Sequence, residues 1–166
     1  MPIQVTQTPY EAVLLTIRSD KSFAEVTQAI EARLQRCSIP TLKEFVENGD
    51  RAGFEAYVDG AAKPTGFSIF WDFEQGSAMR LAGIPVESKF YLVGNAVTAR
   101  GLFEFSGAAG LGAPVRVCVS RREGEPTRID LDQVTAFFSK FPELAPSRVP
   151  QVLDERIVKI LQEAAA

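Results

Sequence analysis

Asp72 and Glu74 stand two residues apart in FWDFEQG (residues 70–76), and at that spacing two carboxylates share one side of an extended chain. A close carboxylate pair splits its pKa values and keeps one group protonated near neutral pH, which is what acid/base catalysis uses. Read instead as a strand feeding a helix, the same stretch makes Asp72 an N-cap and Glu74 a first-turn acid favoured by the helix dipole. Lys89 and Tyr91 alternate along VESKFYLVG (86–94). A desolvated lysine there could act as a base, a Schiff-base nucleophile or an electrostatic anchor, whereas a solvated strand lysine has no such role. Arg116 and Cys118 lie on the strand side opposite Val115, Val117 and Val119, where a guanidinium beside the thiol would depress its pKa. Trp71, Phe73, Tyr91 and Phe103 belong to an aromatic-rich stretch able to enclose an apolar cavity. Asn95, following Gly94, either closes an Asx turn or orients a ligand.

Several chemistries are excluded by composition. The 166 residues contain no histidine, which removes Ser-His-Asp and Cys-His machinery, histidine metal sites and histidine-ligated haem. Cys37 and Cys118 form no CxxC and are expected to be reduced thiols. The glycines of GAAGLGAP (107–114) fit neither a dinucleotide fingerprint nor a P-loop, and no clustered Asp/Glu pattern suggests a metal, so no cofactor or metal is expected. A net charge of −3 with dispersed basic residues argues against nucleic acid as a partner. No apolar run reaches membrane-spanning length, and the opening MPIQVTQTPYEAV lacks a signal-peptide layout, so a cytoplasmic protein without membrane association is expected.

These residues need a frame to position them. EAVLLTIRS (11–19) reads as a buried strand. Ser22 and Glu25 have capping-box spacing, and Phe23, Val26, Ile30 and Leu34 then trace one apolar helical stripe. Residues 38–66 hold short helical pieces near 42–46 and 51–58, broken at NGD and DGAAKPTG, and read as an insertion or lid on the main body. FSIFWDF (67–73) is a strand, EQGSAMRLAG a short helix, and VESKFYLVG a strand with Val86, Phe90 and Leu92 on its apolar side and Glu87, Lys89, Tyr91 and Val93 opposite. Another short helix, TARGLFEFSG, carries Arg100 and Glu104 at the spacing of a surface ion pair. A hairpin turning at REGEP follows, then a helix that Asp130 or Asp132 could cap. The last helix buries Leu153, Ile157, Ile160 and Leu161. One domain spans 1–166.

Residues 67–131, with the opening strand and helix (11–37), resemble the uncharacterised family called domain of unknown function 302. The similarity is carried by Asp72 with the helix after it and its LAGI (81–84), by LVGNA (92–96) where the family has a Gly-Asn-Pro turn, and by LGAPVRVCV (111–119) where it has an acidic residue, Leu-Pro and a strand. The resemblance implies an α+β fold: a curved, mostly antiparallel sheet with helices packed on one face, a two-layer sandwich rich in β-α-β units, often dimeric, with no established family activity. Phe73 stands where members commonly carry histidine, and Ala96 replaces the turn's proline, so only Asp72, Gly94, Asn95 and Pro114 carry over.

The expected function is the enclosure of a hydrophobic small molecule. Were it an enzyme, it would be a cofactor-independent isomerase, cyclase or lyase with Asp72 or Glu74 as acid/base, Lys89 or Arg116 stabilising negative charge, and the aromatics shaping the substrate. The alternative is a non-catalytic ligand-binding module, or an interaction module whose exposed sheet pairs two copies in a homodimer.

Overall fold

Ser22 and Glu25 close the capping box that their spacing predicts: the Ser22 N–H donates to Glu25 Oε2 at 2.8 Å, and the Glu25 N–H donates to Ser22 Oγ at 3.2 Å. Behind this cap, Phe23, Val26, Ile30 and Leu34 are all buried. The computed structural model describes residues 2–166. These form six strands: β1 (Leu14–Ser19), β2 (Gln35–Arg36), β3 (Ser68–Phe73), β4 (Glu87–Gly94), β5 (Val115–Arg121) and β6 (Thr127–Asp132). Seven α-helices accompany them: α1 (Phe23–Arg33), α2 (Ile39–Glu47), α3 (Arg51–Ala61), α4 (Gln75–Leu81), α5 (Ala96–Phe103), α6 (Val134–Phe138) and α7 (Val149–Ala165).

The strands make one open sheet in the order β1-β6-β5-β4-β3-β2. Every pairing is antiparallel except β2 with β3, which is parallel. The β5–β6 hairpin predicted at REGEP is present and pairs Val117 with Leu131 and Val119 with Ile129. Helices α1 and α7 pack on each other and against the sheet face that carries these residues, with Ile157 and Leu161 of α7 fully buried. The architecture is therefore the expected α+β one, a mostly antiparallel sheet with helices on one face.

The sequence places the polar side of β4 towards solvent, and the structure reverses that assignment. Tyr91 is 0% exposed and Val93 1%, so the side with Lys89, Tyr91 and Val93 faces the helices. Phe90 and Leu92 lie on the other, half-covered face beside Trp71 and Phe73, which are 46% and 49% exposed. The cause is α1, whose Glu31 receives both the Lys89 ammonium and the Tyr91 hydroxyl, so these polar heads need no water.

Other local expectations shift for similar reasons. Asp130 and Asp132 belong to β6, and α6 is capped from another helix by Asp154, which accepts from Val134 N–H at 2.6 Å and Thr135 N–H at 3.0 Å. Arg100 pairs with Glu55 of α3 at 3.4 Å, not with Glu104. Asp72 is a strand residue, and the N-cap of α4 is Glu74, which makes no side-chain cap bond. Residues 38–66 are mostly helical. Ser38 and Asp50 cap α2 and α3, and Gly49, at φ 65°, turns the chain between them in a conformation that glycine adopts without strain.

Candidate functional site

Two features gather half of the sequence-predicted residues: an ionic cluster beneath the sheet edge holds Asp72, Lys89 and Tyr91, and an apolar cavity at the sheet end holds Asn95 and Phe103. The cluster is built by register. Cross-strand pairing sets Asp72 opposite Tyr91, and β2 brings Arg36 alongside β3. Lys89 Nζ donates to Glu31 Oε1 at 2.6 Å and lies 3.1 Å from Asp72 Oδ2. The Tyr91 hydroxyl donates to the same Glu31 oxygen at 3.0 Å, and Arg36 grips Asp72 with both terminal nitrogens. Two cations thus meet two carboxylates, and the charges cancel.

Protonation follows from this geometry. The Arg36 hydrogen bond, reinforced by Lys89, holds the Asp72 carboxyl below the ordinary range against the opposing pull of burial. For Lys89, burial works against the charge, but hydrogen bonds to Glu31 and Asp72 outweigh it and keep its pKa above the usual lysine value. Burial, then the Glu31 charge, pushes the Tyr91 phenol well up. Glu74 is lowered as well, by hydrogen bonds from Arg80 and then Ser77. Asp72 and Glu74 are thus held by different partners and both shifted towards the ionised form; they do not have the split pKa values of a carboxylate dyad. Lys89 is poised as an ammonium.

The cavity has a volume of about 310 Å³. Its floor is made where β4 runs into α5, by Gly94, Asn95 and Ala96, and its walls include Phe70, Leu92, Ala99, Leu102 and Phe103. Ala113 and Pro114, which precede β5, complete one side. Asn95 shapes this corner: its Oδ1 accepts from Val97 N–H and Thr98 N–H, both at 2.9 Å, and its Nδ2 donates to Gly66 O at 3.1 Å. The Asx cap is realised, and both ends of the amide are occupied. Gly94 lets Pro114 approach closely, because a Cβ there would lie 3.3 Å from Pro114 Cβ, tighter than an ordinary contact.

Of the predicted residues, Asn95 and Phe103 line the cavity. Asp72, Lys89 and Tyr91 are gathered in the ionic cluster, and Glu74 sits at the start of α4 with Arg80. Trp71 and Phe73 stack on the uncovered sheet face with ring centroids 5.9 Å apart. Arg116 and Cys118 share that face. Arg116 is taken up by Asp132 at 2.7 Å and by the Phe137 ring, while the Cys118 sulfur contacts Ser88 Oγ at 3.7 Å. Neither hydrogen-bonds the other, so the guanidinium that could activate the Cys118 thiol is engaged elsewhere. Sequence reasoning missed Glu31 and Arg36, which sit on elements far from Asp72 in the chain, and the small residues Ala99 and Ala113, whose contribution is space. Among the described residues no group of three or more Cys, Asp or Glu side chains could hold a metal ion, and no helix is long and apolar enough to cross a membrane.

An open, mostly antiparallel sheet with one helical face defines an α+β protein, here with an apolar cavity at the Gly94–Asn95 corner. The profile of the family described as domain of unknown function DUF302 matches residues 51–164, and the chain belongs to that family. The match takes in α3 and nearly all of α7 besides the 67–131 segment, and leaves out the opening strand and helix (11–37). A crystal structure titled as an uncharacterised conserved DUF302 protein from Bacillus stearothermophilus superposes with a TM-score of 0.65 at 16% identity, covering 91% of this chain and 97% of that one. At that identity the likeness concerns the fold. No curated protein matches this chain.

Proposed function

We propose that this chain binds an uncharged, apolar small molecule in the cavity beneath α5 and does not transform it. The observation that carries this reading is the lining: carbon-rich walls around about 310 Å³, with the side-chain amide at the corner, Asn95, already hydrogen-bonded through both its oxygen and its nitrogen. That volume falls at the lower end of the range of about 300–1,000 Å³ typical of ligand sites. Isomerase, cyclase or lyase chemistry needs an acid or base beside the ligand. Asp72, Glu74 and Lys89 are not among the lining residues, and each is held in an ion pair elsewhere. The reading therefore stops at binding.

A titration with the neutral fluorophore N-phenyl-1-naphthylamine, backed by native mass spectrometry for co-purified ligand, tests it. The wild type is expected to bind, and Ala99→Phe, which fills the cavity from α5, is expected to weaken binding at least about tenfold while leaving the melting temperature unchanged or higher. Equal binding by both proteins would place the probe elsewhere and end this reading.

A second reading, a homodimer through the uncovered sheet face, is favoured by the stacked Trp71 and Phe73, both about half exposed, with Trp71 also meeting the Phe90 ring edge-on at 6.0 Å. An aromatic strip of this kind is what a second sheet would cover. Sedimentation should then show a dimer that Trp71→Glu converts to a folded monomer. A wild type that sediments as a monomer at high micromolar concentration rejects it.

A further inference from the structure

We infer that helix α2 is the lid of the apolar cavity, that Ile39 is the side chain through which it closes, and that ligand entry is gated by α2 moving off while α3 stays in place. This rests on the cavity reading above. The cavity walls come from β3, β4, α5 with its cap Asn95, the Ala113–Pro114 approach to β5, β5 itself and α7, and Ile39 at the first turn of α2 is the one lining residue from α2. Ile39 is 50% exposed, so one side faces the cavity and the other faces water.

The attachment of α2 is slight compared with that of its neighbours. None of its nine residues is buried, although Ile39, Leu42, Phe45 and Val46 trace an apolar stripe at helical spacing. What holds it is α3: the Phe45 ring meets the Tyr57 ring at 5.8 Å, and the Tyr57 hydroxyl accepts the Ser38 N–H at 2.9 Å. By contrast, α3 buries Val58 and Ala61 and is tied to α5 through Glu55 and Arg100. The chain is firm immediately before the lid, where Cys37 is 2% exposed and its N–H donates to Ile69 O at 2.9 Å. After the lid comes Gly49 in the left-handed region, a natural pivot. Lifting α2 therefore uncovers no fully buried side chain of its own, and the contacts it gives up are the Phe45 ring against Tyr57 and Gly53 and the Ser38–Tyr57 hydrogen bond. Segments with few buried contacts are the ones that open locally at low cost.

The consequence is kinetic. Loosening the latch should speed both entry and exit of a neutral ligand while the cavity, and hence the equilibrium affinity, stays nearly the same. Two variants outside the cavity wall test this with N-phenyl-1-naphthylamine by stopped flow: Phe45→Leu, which removes the ring contact with Tyr57, and Tyr57→Phe, which removes the acceptor for the Ser38 N–H. Each is expected to raise the association and dissociation rates at least about fivefold, with the dissociation constant shifting less than about threefold. Rates equal to those of the wild type in both variants overturn the gate. Hydrogen exchange on the ligand-free protein provides the readout independent of any probe. Amides of residues 42–49 should exchange at least about tenfold faster than those of residues 57–62, and equal protection of the two helices rejects the lid. If no variant binds the probe, the cavity reading fails, and exchange alone decides whether α2 opens.

Discussion

Replacing Lys89 with methionine is expected to cost about 3 kcal/mol of stability, because it takes from a partly buried ion cluster the cation closest to Glu31 and leaves Arg36 alone to hold Asp72. The Lys89 and Asp72 side chains are only 18% and 17% exposed, while Glu31 is 33% exposed, which puts the cost at the lower end of the range for fully buried pairs. Methionine keeps the stem and its packing over the Tyr91 ring, 5.4 Å from the ammonium in the wild type, so the loss is that of the charge. Glu31 would then keep only the Tyr91 hydroxyl and the more distant Arg36, at 4.0 Å.

The pH dependence identifies the source. The folded Asp72 pKa lies below its ordinary value, so its share of stability is present above the ordinary carboxylate range and is lost as pH falls through the depressed folded value. The folded Lys89 pKa is raised, so its share is fully present below the ordinary lysine value and is lost only as pH rises through the raised one. Between those limits both contributions persist. Urea denaturation should therefore show the full Lys89→Met deficit at pH 7 and a smaller one at a pH below the depressed folded value of Asp72, where its protonated carboxyl no longer needs the ammonium. A deficit that is the same at both pH values would mean that packing, not charge, is lost.

The same cluster marks where sequence reading succeeds and where it stops. Periodicity alone identified the stripes Phe23–Val26–Ile30–Leu34 and Leu153–Ile157–Ile160–Leu161, all of which are buried, because burial of one helix face follows directly from spacing. It also identified the β5 valines, all buried. The face of β4 was misread, because Lys89 and Tyr91 look solvated when their partner, Glu31, lies 58 and 60 residues away on another element. A polar side chain can turn inward when a partner meets it there, and that pairing is a property of the packed fold. The capping of α6 failed for the same reason, since Asp154 reaches it from α7. The cavity was legible only in part. Aromatic crowding around 67–105 flagged the region, but Trp71 and Tyr91 stand outside the cavity, and the residues that leave room are Gly94, Ala99 and Ala113. Space left unfilled between elements has no residue pattern of its own.

Leu102 separates that space from the core, and its truncation gives the sharpest link between stability and binding. The side chain is 0% exposed, contacts the buried cluster on one side and lines the cavity on the other. Leu102→Ala is expected to cost about 3 kcal/mol, within the usual range for deleting a buried leucine, because the existing cavity offers no neighbour that can collapse into the gap. Ile157→Ala, at an equally buried site of α7 that does not line the cavity, should cost a similar amount. The two differ in how ligand acts. A ligand that binds only the folded state adds stability in proportion to the logarithm of its concentration over its dissociation constant, about 2.7 kcal/mol at a hundredfold excess. Enlarging the cavity should move the largest thermal shift towards bulkier neutral ligands in Leu102→Ala, while Ile157→Ala keeps the wild-type ranking. A series of alkyl-substituted naphthalenes, read by melting temperature in the three proteins, makes the comparison. If both variants keep the wild-type ranking, ligand contacts are made somewhere other than the wall that Leu102 forms.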